Sequence, residues 1–433
     1  MSGRQTLFKY IVPSTISLVA QFLFTIVDGL FLGRGVGTVA LGAVNIVFPF
    51  IMIFVALITL CSIGGMTNIA IQIGEQDNEA VNNIFMHALC LCVGISVVMG
   101  LMAIILTNPL SMMMGANEEF ITMSHDYLFW YGLFFLPTGL FIFLCDAVRN
   151  DAEPKLVSTA TLLSTIFNIF ADWLFIFPLN MGVKSAAIAS GLSQCLGVFV
   201  LLTHFFKKHG ILRICRFKLE KSILFEIFLR GIPDCINNFV VPISTLALNI
   251  VLSNYIGSIG VNAYALMTYV IGIISSVTTG VATGLQPLFG RSYGAGSREE
   301  LNYYLKWGII VSFVNTVAFS CIISIFSSNI YSIFAVNGDV LALAVYATPI
   351  ISIGFVFQSY TIVTVSYLNS TKRTGRAIIV HVLRGFVVNV VAIFTIPILF
   401  GAEAIWWFSA IKEGIIFIIT LIIHINADRK LVI

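Results

Sequence analysis

Charge is what this sequence has least of. Only 10% of its 433 residues are Asp, Glu, Lys or Arg, while 58% are apolar. A soluble domain carries roughly 25% charged residues, so no water-facing surface can be built from this chain. Period-two alternation is scarce as well, which excludes a membrane barrel, whose strands alternate apolar and polar positions. The apolar stretches instead run for roughly 20–30 residues. A spanning segment must satisfy its backbone internally, and only helices remain.

Other absences narrow the function. There is no H-E-x-x-H zinc signature, no nucleotide-binding P-loop and no Ser/His/Asp set at one depth. A membrane-embedded enzyme, the rival of a different class, finds no motif to support it, and an ATP-driven pump made of this chain alone is excluded. Of the eight cysteines, Cys61, Cys90, Cys92, Cys145, Cys195, Cys235 and Cys321 fall in or beside apolar runs. There a free thiol acts as a small hydrophobe, and no disulfide framework follows. Cys90 and Cys92 lack the spacing and the His partners of a zinc site. The net charge of +3 points to no nucleic-acid partner. Residues 1–13 show no short apolar core with a cleavage site, so the first span is expected to stay uncleaved.

What is present is a series of apolar segments of spanning length. They lie at about 10–33, 41–73, 81–107, 120–148, 157–179 and 184–206. A second series lies at about 232–255, 258–290, 302–326, 340–368, 377–400 and 403–425. Between the series is the longest polar interruption, which carries Lys207, Lys208, Arg213, Arg216, Lys218 and Lys221. With the N-terminus inside, every basic residue between spans falls on the inner side except Arg34 and Lys184. Cytoplasmic loops collect Lys and Arg, so this asymmetry supports about twelve spans with both termini inside.

The two series also resemble each other. Pro13 and Pro233 are 220 residues apart, as are Gly37 and Gly257, and Gly74 and Gly294. Pro178 and Pro397, and Gly182 and Gly401, are 219 apart. The reading is an all-α membrane protein of two pseudo-symmetric six-helix lobes, 1–206 and 232–433. Residues 207–231 form a basic cytoplasmic linker with an interfacial helix, on which Arg230 pairs with Glu226. An even number of spans per half makes the repeats parallel, a transporter layout that places a substrate site between lobes.

Ionisable residues inside a membrane are expensive and mark function. Asp146 beside Arg149, and Lys306 near the inner surface, read as interfacial. Asp234, Asn237 and Asn238 sit near the inner mouth of span seven as cavity or charge-pair candidates. Arg384 and Glu413 are isolated charges in spans eleven and twelve, close enough in depth to pair. Lys412, about 100° around the helix from Glu413, is expected to face elsewhere.

Asp28 and Asp172 differ from these. Each lies six residues before an outer helix end, on the order of 9 Å deep, with no Lys or Arg at that level. Asn168 is one turn from Asp172 on the same face, and Ser190 in span six sits at a similar depth. Acids close together without a counter-charge hold a proton or a cation. Carboxylate, amide and hydroxyl oxygens are hard ligands that suit an alkali or alkaline-earth ion rather than a soft metal. The repeat aligns Leu248 with Asp28 and Val391 with Asp172, so the site is confined to the first lobe.

These residues resemble the MATE (multidrug and toxic compound extrusion) family in its DinF-like bacterial and archaeal branch. The resemblance rests on Pro13 with Asp28 fifteen residues on, Asn168 with Asp172, Ser190 in Gly182–Ser190, and the Gly-rich stretch Gln286–Gly296. It implies two six-helix bundles exporting amphipathic, often cationic compounds in exchange for Na⁺ or H⁺. It carries the cation site onto Asp28, Asn168, Asp172 and Ser190, where threonine is usual at the last, and a hinge onto Pro13. It further implies a prokaryotic plasma-membrane monomer, with membrane lipid and small amphipathic substrates as partners, no nucleic acid, and no cofactor beyond the coupling ion. A lipid or polysaccharide-precursor flippase of the same superfamily is the rival. The few intramembrane cations favour the exporter.

Overall fold

The computed structural model describes residues 3–118, 120–207, 210–332 and 338–429, with only the backbone described at Thr38 and at residues 427–429. Lys208 and Lys430, two of the inner basic residues, lie outside this set. Among the described residues every regular element is helical. The helices are α1 (Gly3–Gly35), α2 (Thr38–Glu75), α3 (Asn78–Ile105), α4 (Thr107–Met113), α5 (Ile121–Leu133), α6 (Phe135–Asn150), α7 (Pro154–Ile176) and α8 (Lys184–Phe206). After the linker come α9 (Lys221–Tyr255), α10 (Ser258–Gly294), α11 (Arg298–Ser332), α12 (Asp339–Ser370) and α13 (Thr374–Val382). A π-helical segment, Leu383–Val387, joins α13 to α14 (Val388–Phe400), and a 3₁₀ turn, Ala402–Trp407, leads into α15 (Phe408–Arg429).

Among the described residues eleven stretches are long and apolar enough to cross a membrane, and α5 with α6, bent by 55°, meets the same test as a pair. Pro137, in the first turn of α6, has no N–H to donate to the Leu133 carbonyl, which breaks the helical ladder there. Phe134, between the two helices, presses its ring where a Cβ on Gly191 of α8 would stand, at 2.0 Å. Absence of a side chain at Gly191 lets the broken turn sink into α8.

The repeat is written in the backbone of the turns. Gly37 (φ 119) and Gly257 (φ 80), Gln76 (φ 63) and Gly296 (φ 67), and Ala152 (φ 74) and Lys372 (φ 60) all take positive φ at a separation of 220 residues. Gly182 (φ 71) and Gly401 (φ 88) do so at 219. A tight connection between antiparallel helices needs one left-handed residue, and glycine meets that need without steric cost. Where Gln, Ala or Lys stands there, the geometry is imposed by the packing of the helices on either side.

By packing, the chain forms two units, Ala20–Cys235 and Met1–Val19 with Ile236–Ile433. These divisions fall within α1 and α9. Lobes at 1–206 and 232–433 are divisions by sequence symmetry, and the packing units are cut elsewhere. A separate interfacial helix before span seven is not formed: Lys221–Tyr255 is one continuous helix through Pro233. Close packing is the reason. A Cβ on Gly64 of α2 would lie 2.0 Å from the Ile227 carbonyl oxygen, and one on Gly231 would lie 2.0 Å from that of Leu60. The first turns of α9 are therefore seated on α2, with Ile227 and Arg230 buried. The first turns of α1 make the equivalent contact in the other unit, where a Cβ on Gly284 of α10 would lie 2.8 Å from the Tyr10 carbonyl oxygen.

The linker is strapped to the unit Ala20–Cys235. Asp151 accepts hydrogen bonds from the backbone N–H of Ile211 (2.7 Å) and Leu212 (3.1 Å) and meets His204 Nε2 at 2.8 Å. Asn82 Oδ1 accepts from Arg213 N at 2.6 Å, and His87 Nε2 from Glu220 N at 2.8 Å. Asp146 bonds Arg149 Nη1 at 2.6 Å and accepts from Ser62 Oγ at 2.7 Å.

Candidate cation site

The site begins with a glycine. A Cβ on Gly35, the last residue of α1, would lie 2.1 Å from Ile176 Cγ2 at the end of α7. Phe31 of α1 stacks edge-on against Phe177 with ring centroids 5.8 Å apart. This approach draws the end of α1 onto the end of α7. Asp28 lies about two turns before Gly35 and Asp172 about one turn before Ile176, so the two acids are brought together. Their carboxylates interact electrostatically, and the Asn168 carboxamide lies beside that of Asp172.

Most of this polarity lacks a well-formed hydrogen bond within the protein. Asp172 and Asn168 are wholly buried. Both oxygens of Asp172, both polar atoms of Asn168 and Oδ1 of Asp28 are shielded and have no hydrogen-bond partner. No Lys or Arg pairs with either acid among the described residues. Unpaired buried carboxylates are costly. The oxygens that converge here, two carboxylates and an amide, are those that a hard monovalent cation takes.

Ser190 is buried on α8, and its carbonyl accepts from Ser193 Oγ at 2.7 Å. Among the described residues no hydrogen bond joins its hydroxyl to the acids or to Asn168. Pro13 lies within α1, which runs unbroken from Gly3 to Gly35.

Two tyrosines not expected from the sequence complete the surroundings. Tyr127 of α5 interacts electrostatically with both aspartates, and Tyr131, one turn on, with Asp28. Tyr131 also lies near Gln194 and Thr138, and Thr138 Oγ1 donates to Gln194 Oε1. These residues border a cavity of about 200 Å³, lined also by Gln21, Thr25, Ser164 and Ser193. It lies about one turn along α1 from Asp28 and about two turns along α7 from Asp172. The i, i+4 spacing of Tyr127 with Tyr131 and of Ser190 with Gln194 was the available signal.

The second unit holds a separate charge cluster. Arg384 Nε donates to both carboxylate oxygens of Glu413, at 3.0 and 3.1 Å, and Nη1 donates to Asn237 Oδ1 at 3.0 Å. Lys412 does not face away: its Nζ lies 3.1 Å from Glu413 Oε1. Adjacent Cα–Cβ bonds diverge on a helix, but a four-carbon stem is long enough to turn back. Of the three polar residues expected near the start of span seven, Arg384 bonds only Asn237; Asp234 and Asn238 are half-buried on the same helix.

Comparison with known proteins places this geometry. The sequence model of the MatE family matches residues 13–174 and 233–395, one copy in each half. The chain belongs to the MatE family. The multidrug export protein MepA of Staphylococcus saprophyticus subsp. saprophyticus is 22% identical over 431 residues, covering 98% of this chain and 94% of that protein. MepA of Staphylococcus aureus strain MSSA476 is 22% identical over 437 residues, with the same coverage. Among solved structures, a MATE protein in complex with MaD3S superposes with a TM-score of 0.92 at 21% identity, covering 99% of this chain and 96% of that one. An outward-facing multidrug resistance MATE transporter of the MOP superfamily gives 0.90 at 22% identity, with the same coverage. The chain thus has the MATE fold and is a multi-pass membrane protein of a transporter family.

Proposed function

We propose that this MatE member is a secondary antiporter that exports amphipathic small molecules, cationic ones among them, in exchange for Na⁺ rather than H⁺. One observation carries the reading: Asp28 and Asp172 lie together without a basic partner, beside the orphaned carboxamide of Asn168. Two adjacent carboxylates repel, and a monovalent cation between them removes that repulsion. The amide oxygen favours Na⁺, since a proton carrier needs no neutral oxygen ligand. Ser190 is the fourth ligand in this proposal, through a shift of its side chain when the ion binds. Protons compete for the same oxygens.

Coupling follows if one conformational state favours the occupied site. A ligand shifts a conformational equilibrium only by its difference in affinity for the two states. Alternating access is then a rocking of the two lobes, with Pro13 as the hinge within α1. The multidrug export function of MepA supports the substrate class. The test is export from the lumen-reconstituted full chain with Na⁺ and pH gradients imposed separately. Na⁺-driven export at symmetric pH is expected. Export that follows only the pH gradient in Na⁺-free buffer would transfer the role to H⁺.

A further inference from the structure

Some of the positions that line the lobe-one cavity have charged counterparts in the second unit. At the separation of 219 residues that relates Pro178 to Pro397, Ser193 corresponds to Lys412 and Gln194 to Glu413. Arg384 corresponds to Ser164 or Thr165, at 220 or 219. In the unit Ala20–Cys235 these positions line a cavity of mixed polar and apolar side chains, none of them an acid or base that ionises at ordinary pH. In the other unit the same places bring together two bases and one acid.

We propose that Arg384 and Lys412 form a binding subsite for the carboxylate of an amphipathic organic anion or zwitterion. Arg384 and Lys412 are only 5% and 6% exposed, and Glu413 only 1%. In their ordinary ionised forms the three sum to a single positive charge, placed within spans where uncompensated charge is expensive. Donors remain as well as charge. Arg384 spends Nε on Glu413 and Nη1 on Asn237, while Nη2 has no partner among the described residues. Among the described residues Lys412 pairs only with Glu413, its ammonium otherwise facing the Phe408 ring. A guanidinium edge beside an ammonium group is a fork that matches a carboxylate better than a spherical anion.

Two further features fit a ligand site rather than a plain structural pair. Arg384 lies in the π-helical segment Leu383–Val387, and π-bulges concentrate at functional positions. Its counterpart in the first unit, α7, is an unbroken α-helix. The buried Phe408 ring lies under Lys412 Nζ at 5.9 Å and makes the surroundings of the charge apolar. As a transport contact the subsite rests on the antiporter reading, but as a binding site it stands alone.

The experiment titrates benzoate into the full chain in lipid nanodiscs, with identical ions throughout and no gradient, followed by calorimetry. Saturable binding is expected. Lys412→Met, which leaves the Arg384–Glu413 pair in place, should weaken it at least tenfold, and Lys412→Arg should restore it. Benzylamine, the cationic counterpart, should show no dependence on residue 412. Absence of saturable benzoate binding to the wild type, or wild-type affinity in Lys412→Met, would overturn the proposal. The same preparations separate the two readings. Asp28→Asn should keep benzoate binding while losing gradient-driven export. If that variant exports normally and benzoate still depends on Lys412, the coupling reading falls and the anion subsite stands.

Discussion

Tyr127 meets both carboxylates of the candidate site from α5, and removing only its hydroxyl separates the site's chemistry from its packing. Tyr127→Phe, which removes a nearby hydroxyl dipole but, among the described residues, no hydrogen bond to the acids, should change the apparent affinity for the coupling ion by less than about tenfold. Thermal stability should hardly change. Acidification should weaken apparent Na⁺ affinity in the wild type, since protons and Na⁺ compete for the same oxygens; a Na⁺ affinity independent of pH would remove Asp28 and Asp172 from the site. At this scale the acids are legible in the sequence because a carboxylate in an apolar run has no bland role. The tyrosines are not, because in a lipid-facing helix an aromatic ring is ordinary bulk until a neighbour gives its hydroxyl something to do. Lys412 misleads for a different reason: helical periodicity fixes where its Cβ points, not where four methylenes end.

Among the elements, glycines decide which helices touch. Gly35→Val would place a side chain within 2.1 Å of Ile176 and push α1 off α7. Overpacking of this kind costs about 1–3 kcal/mol. The variant should lower the melting temperature and weaken ion coupling without altering any ligand. In the opposite direction, Ala152 holds a left-handed backbone (φ 74) that its Cβ opposes. Ala152→Gly should raise stability by about 0.5–1 kcal/mol, the left-handed penalty of alanine less the entropy cost of glycine. A lower melting temperature for that variant would show that the Ala152 methyl packs usefully. The spans were readable from composition, since lipid demands long apolar helices. The continuity of α9 was not, because Gly231 and Pro233 look like a break until α2 is seen to fill the glycine's open face. Nor was the seating of the bent α5–α6 pair, which depends on Gly191 in a distant span.

On the scale of the whole molecule, the repeat was visible as a near-constant separation of prolines and glycines, and the turn backbones carry it at the same separation. It predicts that both halves face the membrane the same way. A reporter fused within the linker, at residues 210–220, should read cytoplasmic, and one at Lys184 external. A reversed pattern would contradict the distribution of basic residues. What no sequence pattern conveyed is that the packing units divide within α1 and α9. This follows from paired close contacts, Gly64 with Ile227 and Gly284 with Tyr10, that only a folded chain displays.

The central claim is that Asp28 and Asp172 are where the driving ion acts. It is tested most directly by substrate export from proteoliposomes under an imposed Na⁺ gradient, comparing wild type with Asp28→Asn and Asp172→Asn. Each asparagine is close to isosteric and removes the repulsion between the acids, so both variants should fold and retain substrate binding. The account predicts that both lose gradient-driven export while keeping the melting temperature of the wild type. Wild-type coupling in Asp28→Asn, under either a Na⁺ or a pH gradient, would contradict it.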